Sequence, residues 1–142
     1  MLWIEQIAPE LTWRLRRDVL YPTADIADMV MDADNDGFHF GAFENNKLVG
    51  VVSVFQKGDA FQFRKFAVDP AFQNMGGGTA LLNYVTEFAT ENGGVRLWCN
   101  ARLIALGFYL KNGFVQTDLL FSKNGYDYAI VEKVLVLKNR PV

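Results

Sequence analysis

The feature that most restricts the fold of this chain is a series of short apolar runs over residues 38–68, separated by turn residues. The runs are Phe38–Phe43, Leu48–Phe55 and 61–68, and residues 44–47 and 57–59 connect them. Runs of this length, rich in β-branched and aromatic residues and bounded by turn residues, indicate strands. Connections this short join antiparallel neighbours, so the sequence predicts an antiparallel meander of three strands.

Before the meander, the sequence predicts a strand over Trp3–Ile7 and a helix that begins at Pro9 and ends at Tyr21-Pro22. The helix rests on Leu11, Leu15 and Val19, which follow i, i+4 spacing. Residues 24–31 are predicted to form a second short helix, and residues 32–37 an acidic, solvated loop.

After the meander, the sequence predicts an amphipathic helix from Gly76, a strand over 95–99 and a helix over 102–112. Two final strands, Phe114–Phe121 and Tyr126–Leu137, flank Asn124-Gly125, a strong hairpin signal. The order of elements predicts one α+β or mixed α/β domain, residues 1–142, with helices packed on a sheet.

Composition limits the classes of function. The 142 residues suit one hydrophobic core, and a net charge of −2 argues against a non-specific nucleic-acid binder. The single cysteine, Cys99, forms no intrachain disulfide. No apolar run reaches the roughly 18 residues of a spanning helix, and the N-terminus is too charged for a signal peptide. A cytoplasmic protein without membrane contact is therefore expected.

Three glycines, Gly76 to Gly78, stand where the amphipathic helix begins, although glycine is a poor helix former. No lysine follows them, as a Walker A loop requires, and Leu81 stands where a dinucleotide fingerprint needs its third glycine. Two interpretations remain. Backbone N–H groups at the helix start could hold a pyrophosphate that approaches closely because glycine has no Cβ, or the segment is an ordinary glycine-rich turn.

A longer pattern around these glycines resembles the GCN5-related N-acetyltransferase (GNAT) family. In that family a strand ending in Val-x-Pro precedes a Gln/Arg-x-x-Gly-x-Gly/Ala loop, which is matched here by Val68, Pro70, Gln73, Gly76 and Gly78. The segment NARLIALGFYLKNGF (100–114) is similar to a second family pattern. Its matching residues are Asn100, Ala105, Phe108, Tyr109, Gly113 and Phe114.

The resemblance implies a mixed, mostly antiparallel sheet with helices on both faces, splayed between its fourth and fifth strands, with acetyl-CoA as co-substrate. Backbone groups of Phe66, Ala67 and Val68 would pair with the pantetheine arm, and an N–H near Val68 would polarise the thioester carbonyl. The remaining cofactor contacts implied are Gln73, Asn74, Met75, Gly76, Gly77, Gly78, Thr79, Asn100 and Phe108.

The resemblance also implies direct attack of an amine on the thioester in a ternary complex, without a protein nucleophile. Tyr109 occupies the family position that often gives a proton or hydrogen bond to the leaving thiolate, and a phenol pKa near 10 is close to that of a thiol. Alternatively, Tyr109 only packs beside Phe108. Asn100 either contacts the cofactor or acceptor, or caps the helix over 102–112.

The acceptor side is less defined. Alternation along strand 61–68 places Gln62, Arg64, Phe66 and Val68 on one face. Histone-modifying relatives carry a glutamate base about where Gln62 stands, and glutamine cannot take a proton. Water, another carboxylate or an amine that arrives neutral would replace that base. Arg64 indicates an acceptor with a carboxylate or phosphate, or is a solvated surface arginine.

The function expected is acetyl transfer to the amine of a small molecule, ahead of a protein amine. The alternative is a CoA-binding regulatory or sensor module without turnover. An exposed edge strand in the C-terminal hairpin would permit a homodimer. Nothing in the sequence identifies the acceptor.

Other signals receive ordinary interpretations. Residues 32–37 match the first half of a calcium loop, but Phe43 stands where the bidentate glutamate is needed, so no metal site is predicted. His39 is predicted to be a hydrogen-bonded strand histidine and Cys99 a buried apolar residue. A solvated helix face is predicted for Arg14, Arg16 and Arg17.

Overall fold

The structure of the protein is a computed structural model that describes residues 2–136. Within that range seven strands and three α-helices form: β1 (Leu2–Gln6), α1 (Trp13–Leu15), β2 (Phe38–Glu44), β3 (Lys47–Lys57), β4 (Ala60–Val68), α2 (Gly77–Glu91), β5 (Arg96–Arg102), α3 (Leu106–Lys111), β6 (Val115–Lys123) and β7 (Tyr126–Val134). In the described range, no helix has the length and apolar character that crossing a membrane requires.

The strands form one sheet in the order β1-β2-β3-β4-β5-β7-β6. The pairs β1–β2, β2–β3, β5–β7 and β6–β7 are antiparallel. The strands β4 and β5 are parallel, and three residue pairs join them, from Ala60–Arg96 to Gln62–Trp98. This is the mixed, mostly antiparallel sheet that the resemblance implies.

The residues fall into two compact units. The first consists of Met1–Phe55 with Phe63–Val85, and the second of Gln56–Gln62 with Thr86–Val142. The first unit has a buried cluster of Leu15, Val51 and Ala67, against which Ile7, Val19, Leu20 and Leu48 pack. The single domain over residues 1–142 remains a prediction.

The helical segment predicted from Pro9 to Tyr21 is confirmed in extent, but it is not one regular α-helix. The segment is a 3₁₀ helix at Pro9–Thr12, then α1, then a π-helix at Arg16–Leu20. Because the number of residues per turn changes along it, i, i+4 spacing does not define one face. Leu15 is accordingly buried, while Leu11 is 53% exposed.

The segment between this helical region and β2 also differs from the prediction. The helix expected over 24–31 is reduced to a 3₁₀ turn at Ile26–Met29, and the expected loop over 32–37 is a 3₁₀ helix at Asp32–Asp36. Asp34 is only 4% exposed, so the prediction of a solvated loop is wrong for this residue. The cause is an ion pair with Arg16, described below.

In the second unit the predicted hairpin is confirmed. Asn124 and Gly125 join β6 to β7, and both have positive φ, at 52° and 82°, as the tight hairpin turn requires. The last strand ends at Val134 rather than Leu137, which lies outside the described residues.

Two predicted boundaries around β5 are corrected. The strand predicted over 95–99 runs to Arg102, because its register with β7 continues as far as the Arg102–Tyr128 pair. The helix predicted over 102–112 is a 3₁₀ turn at Leu103–Ala105 followed by α3.

Candidate active site

The loop that follows β4 is tied to the end of that strand. The backbone N–H of Asp69 donates to the Val49 carbonyl at 2.8 Å, and the Asp69 carboxylate accepts from the Ala71 N–H at 3.0 Å. The side-chain amide of Gln73 donates to the Val68 carbonyl at 2.8 Å. Gln73, a motif residue, therefore closes the loop onto β4 through its side chain.

The glycine run places a backbone turn directly before α2. Gly76 has φ of +84°, a left-handed conformation that favours glycine, and a Cβ there would meet nothing within 4 Å. Its carbonyl accepts the first helical bond, from the Ala80 N–H at 2.9 Å. The N–H groups of the preceding residues, Gly77, Gly78 and Thr79, lie in the first turn, where a helix has no carbonyl of its own for them. Such N–H groups and the helix dipole favour an anion.

The exposure of the loop is consistent with access by a ligand. Gln73, Asn74, Gly76 and Thr79 are exposed and Gly78 is half-buried, whereas Gly77 is buried. Met75, whose side chain is 70% exposed, covers no apolar core. The predicted cofactor residues of this loop are thus brought together at the start of α2, apart from the Gln73 side chain, which faces Val68.

We expect Gly76→Ala to weaken acetyl-CoA binding about tenfold, because an L-residue in the left-handed region costs roughly 1–2 kcal/mol and the turn would shift to avoid it. The matched control is Gly77→Ala, since Gly77 does not have positive φ and its added Cβ would lie 4.0 Å from the nearest atom, the Phe72 carbonyl. Calorimetric titration with acetyl-CoA measures both. Equal losses in the two variants would contradict the proposed cradle.

The backbone of β4 is not regular throughout. Lys65 has φ of +54°, a left-handed conformation inside a strand. The burial pattern still alternates around it: Phe61, Phe63 and Ala67 are buried, and Gln62, Arg64 and Phe66 are half-buried. The shared face of Gln62, Arg64, Phe66 and Val68 stays a prediction.

The two predicted acceptor residues have defined neighbours. Gln62 is in register with Trp98 on β5. The guanidinium of Arg64 lies 5.8 Å from the centre of the Phe55 ring, a cation–π contact. Arg64 is half-buried.

Tyr109 lies on α3 among aromatic rings. The centres of the Phe108 and Phe114 rings are 5.3 Å and 6.0 Å from that of Tyr109, whose side chain is 7% exposed. Burial raises the pKa of Tyr109 well above its usual value, and the interaction with the neighbouring Cys99 side chain raises it further. The phenol therefore keeps its proton and can donate a hydrogen bond, but it is a weaker acid than an ordinary phenol.

Cys99, on β5, is buried as predicted. Burial raises the pKa of its thiol strongly, which the hydrogen bond with Tyr109 only partly offsets. Because the thiolate is the reactive form of cysteine, this raised pKa argues against Cys99 as a nucleophile.

The interpretation of Asn100 as a helix cap is wrong, and its contact with the cofactor or acceptor stays a prediction. Asn100 lies inside β5, opposite Ile130 of β7, and it is exposed. The following 3₁₀ turn has Arg102 at its N-cap position. The helical cap was misplaced because the strand is longer than its apolar alternation indicates. Phe108, beside Tyr109, is half-buried.

A buried polar cluster in the first unit has no signal in the sequence. Arg16 is 0% exposed and donates to both carboxylate oxygens of Asp34, at 3.1 Å and 2.9 Å. Arg16 also donates to the Met29 carbonyl at 2.8 Å and to the Ser53 hydroxyl at 2.9 Å. The prediction of a solvated Arg16 is therefore wrong. The π-helix turns Arg16 inward next to Leu15, and no local sequence pattern signals that turn.

His39 is satisfied, as predicted. Its Nδ1 lies 2.7 Å from the Ser53 hydroxyl and its Nε2 lies 2.7 Å from the Asp34 carbonyl. A carbonyl only accepts, so Nε2 donates to Asp34. His39 therefore joins β2 to the buried Arg16 cluster.

Comparison with known proteins identifies the family. The model described as "Acetyltransferase (GNAT) family" matches residues 4–114. The uncharacterized N-acetyltransferase YitI of Bacillus subtilis (strain 168) is 26% identical over 140 residues, which cover 92% of this chain and 94% of YitI.

Two solved structures have the same fold. Ard1 from Thermoplasma volcanium superposes with a TM-score of 0.81 at 19% identity, over 96% of this chain and 99% of Ard1. A GNAT family acetyltransferase from Elizabethkingia anophelis, crystallised with acetyl-CoA, gives a TM-score of 0.76 at 21% identity, over 94% of this chain and 98% of the other. The chain therefore belongs to the GNAT acetyltransferase family and is an N-acetyltransferase that uses acetyl-CoA as its co-substrate.

Proposed function

We propose that this enzyme transfers the acetyl group of acetyl-CoA to the amine of a small molecule, by direct attack of the amine in a ternary complex. The observation that carries the cofactor assignment is the turn at Gly76, which opens α2 with three backbone N–H groups that have no helical acceptor. The pyrophosphate of acetyl-CoA is the anion that this cradle takes. The acetyl-CoA bound to the Elizabethkingia anophelis relative supports the choice of ligand.

In the proposed reaction the amine nitrogen attacks the thioester carbonyl carbon, and the carbonyl oxygen becomes an oxyanion. A backbone N–H near Val68 stabilises that oxyanion. The intermediate then collapses as the C–S bond breaks and CoA leaves as a thiolate. The phenol of Tyr109 donates a hydrogen bond to this sulfur, and because burial raises its pKa the phenol is protonated when the thiolate forms.

The proton lost by the amine needs an acceptor other than Gln62, because an amide has no basic site for it. Water or another carboxylate takes this proton after the nitrogen has attacked. An amine that arrives neutral has only this one proton to lose, whereas an ammonium must first lose another. The departing thiolate takes up one proton, so the products are an amide and free CoA thiol.

Arg64 supports an acceptor that carries a carboxylate or phosphate. The Arg64 guanidinium lies 5.8 Å from the centre of the Phe55 ring, and a contact with an aromatic ring takes up none of its N–H donors. A fixed guanidinium suits two-point binding of a carboxylate or phosphate.

The test is release of CoA thiol by the full-length protein over a panel of amines. The panel contains simple aliphatic amines, amines with a carboxylate or phosphate, and a peptide with a free N-terminus. We expect the highest kcat/KM with an anionic small amine and a loss of that preference in Arg64→Met. Turnover restricted to the peptide would contradict the small-molecule acceptor, and acetyl-CoA binding without turnover on any amine would favour the regulatory module.

A further inference from the structure

Two uncommon backbone features occur in the first unit. Residues Arg16–Leu20 form a π-helix, a conformation that is rare and frequent at functional sites. Lys65 has φ of +54° in the middle of β4. A lysine in the left-handed region is strained by roughly 1–2 kcal/mol, and such strain persists only where the surroundings impose it.

One side-chain hydrogen bond joins the two features. The ammonium of Lys65 donates to the hydroxyl oxygen of Tyr21 at 2.7 Å, and Tyr21 is the residue directly after the π-helix. The same ammonium lies 4.5 Å from the centre of the Tyr21 ring. Both contacts hold the Lys65 side chain at the end of the π-helix, and Lys65 is the residue at which β4 is left-handed.

The Tyr21 end of this contact is anchored in the unit. Arg16, at the start of the π-helix, is fixed by its bonds to Asp34 and Ser53. Leu20, at its end, packs against the buried cluster of Leu15, Val51 and Ala67. Ala67 follows Lys65 by two residues. The strand β4 is therefore held at Lys65 by the contact with Tyr21, and at Ala67 by the buried cluster.

We propose that Tyr21 and Lys65 are a positioning pair, which holds the left-handed turn of β4 and thereby fixes the direction of the backbone N–H and C=O groups of residues 66–68. The inference rests on the proposed function, in which those groups bind the pantetheine arm and the thioester carbonyl. Neither side chain needs to touch acetyl-CoA. The pair instead determines whether the backbone N–H and C=O groups of residues 66–68 point toward the bound acetyl-CoA.

The test measures the acetyl-CoA dissociation constant of the full-length protein by calorimetry, in four variants. Tyr21→Phe keeps the ring and removes the hydroxyl; Lys65→Met keeps the stem and removes the charge. The third variant combines both changes. The fourth, Lys65→Gly, removes the side chain but adopts positive φ without strain. Tyr126→Phe is the matched control, because its ring carries a similar cation contact, 3.9 Å from the Arg102 guanidinium.

We expect each single change, Tyr21→Phe or Lys65→Met, to weaken acetyl-CoA binding about tenfold, and the double variant to be no weaker than the worse single, since the two residues act as one unit. Lys65→Gly should stay within about twofold of the unmodified protein, and Tyr126→Phe should be unchanged. Thermal unfolding of each variant confirms that it is folded.

Three results would overturn the positioning pair: multiplicative losses in the double variant, unchanged affinity in both single variants, or a loss in Lys65→Gly as large as in Lys65→Met. The last would mean that the ammonium itself contacts the cofactor. The readout also separates this inference from the proposed acceptor. A protein that binds acetyl-CoA but acetylates no small amine contradicts the proposed function, while the pair is still decided by affinity. If the unmodified protein binds no acetyl-CoA, both are wrong.

Discussion

Arg16→Ala is expected to lower the free energy of unfolding by about 3–5 kcal/mol, because removing one partner of a buried ion pair leaves the other charge uncompensated. Arg16 is completely buried and supplies two hydrogen bonds to Asp34. Without it, the carboxylate keeps the indole N–H of Trp13, at 3.2 Å, and the backbone N–H of Met31, at 3.0 Å. Denaturant unfolding measures the difference.

The matched control is Arg17→Ala on the same helical segment. Arg17 pairs with Asp18 at 2.6 Å, but both side chains are partly exposed, and an exposed pair contributes at most about 1 kcal/mol. Similar losses in the two variants would contradict the importance of burial.

Acid titration of the Arg16→Ala variant gives a second readout. Burial raises the pKa of Asp34. The hydrogen bonds and charge of Arg16, together with the hydrogen bonds from Met31 and Trp13, outweigh this effect, so the pKa of Asp34 lies below its usual value of 3.8.

The sign of the acid effect follows from that lowered pKa. A carboxyl whose folded pKa lies below its unfolded value contributes stability above the unfolded value, and this contribution disappears as the pH falls through the folded value. The contribution of Asp34 is therefore present above about pH 4 and lost below it. In Arg16→Ala the acid-induced loss should begin at higher pH.

Tyr109→Phe is expected to lower kcat about 100-fold, because removal of one hydrogen-bond donor to a developing anion typically costs a factor of 100 to 1,000. The dissociation constant of acetyl-CoA should stay nearly unchanged, since the interaction is needed only when the thiolate forms. Single-turnover kinetics with a saturating amine measure the chemical step. Because the pKa of the phenol is raised, the rate should not fall as the pH approaches 10 through loss of its proton.

Tyr84→Phe is the control for this experiment. Tyr84 lies on α2 with its ring centre 5.2 Å from that of Phe40, so the change keeps its packing. We expect wild-type kcat in this variant. Unchanged turnover in Tyr109→Phe would remove the proposed role, and equal losses in both variants would indicate a general effect of phenol removal.

Local sequence patterns predicted the elements whose stabilisation is itself local. The strands of the meander alternate or form valine-rich runs, and Asn124-Gly125 has the backbone conformation that only a few residue pairs adopt readily. The helix after the glycines has Leu81, Leu82 and Val85 buried, as its spacing predicts. These elements carry their own signals in consecutive residues.

The features that the sequence did not reveal depend on partners far along the chain. Arg16 is buried because it donates hydrogen bonds to Asp34 and Ser53, which lie 18 and 37 residues away along the chain. The residues next to Arg16 carry no signal of either partner. Lys65 is left-handed although its neighbours form a regular strand, and its hydrogen-bond partner, Tyr21, lies 44 residues away. Sequence periodicity describes one element at a time, so it cannot detect such pairs.

The buried position of Cys99 has a practical consequence for the chemistry of the assay. Its sulfur is the sole thiol of the polypeptide, and in the folded enzyme it is withdrawn from solvent and held protonated. A disulfide reagent added to the reaction of the folded enzyme therefore reacts with the thiol of released CoA and not with Cys99. After turnover has ended, the rate at which the reagent slowly modifies the Cys99 sulfur measures how often the region formed by β5 and α3 opens transiently.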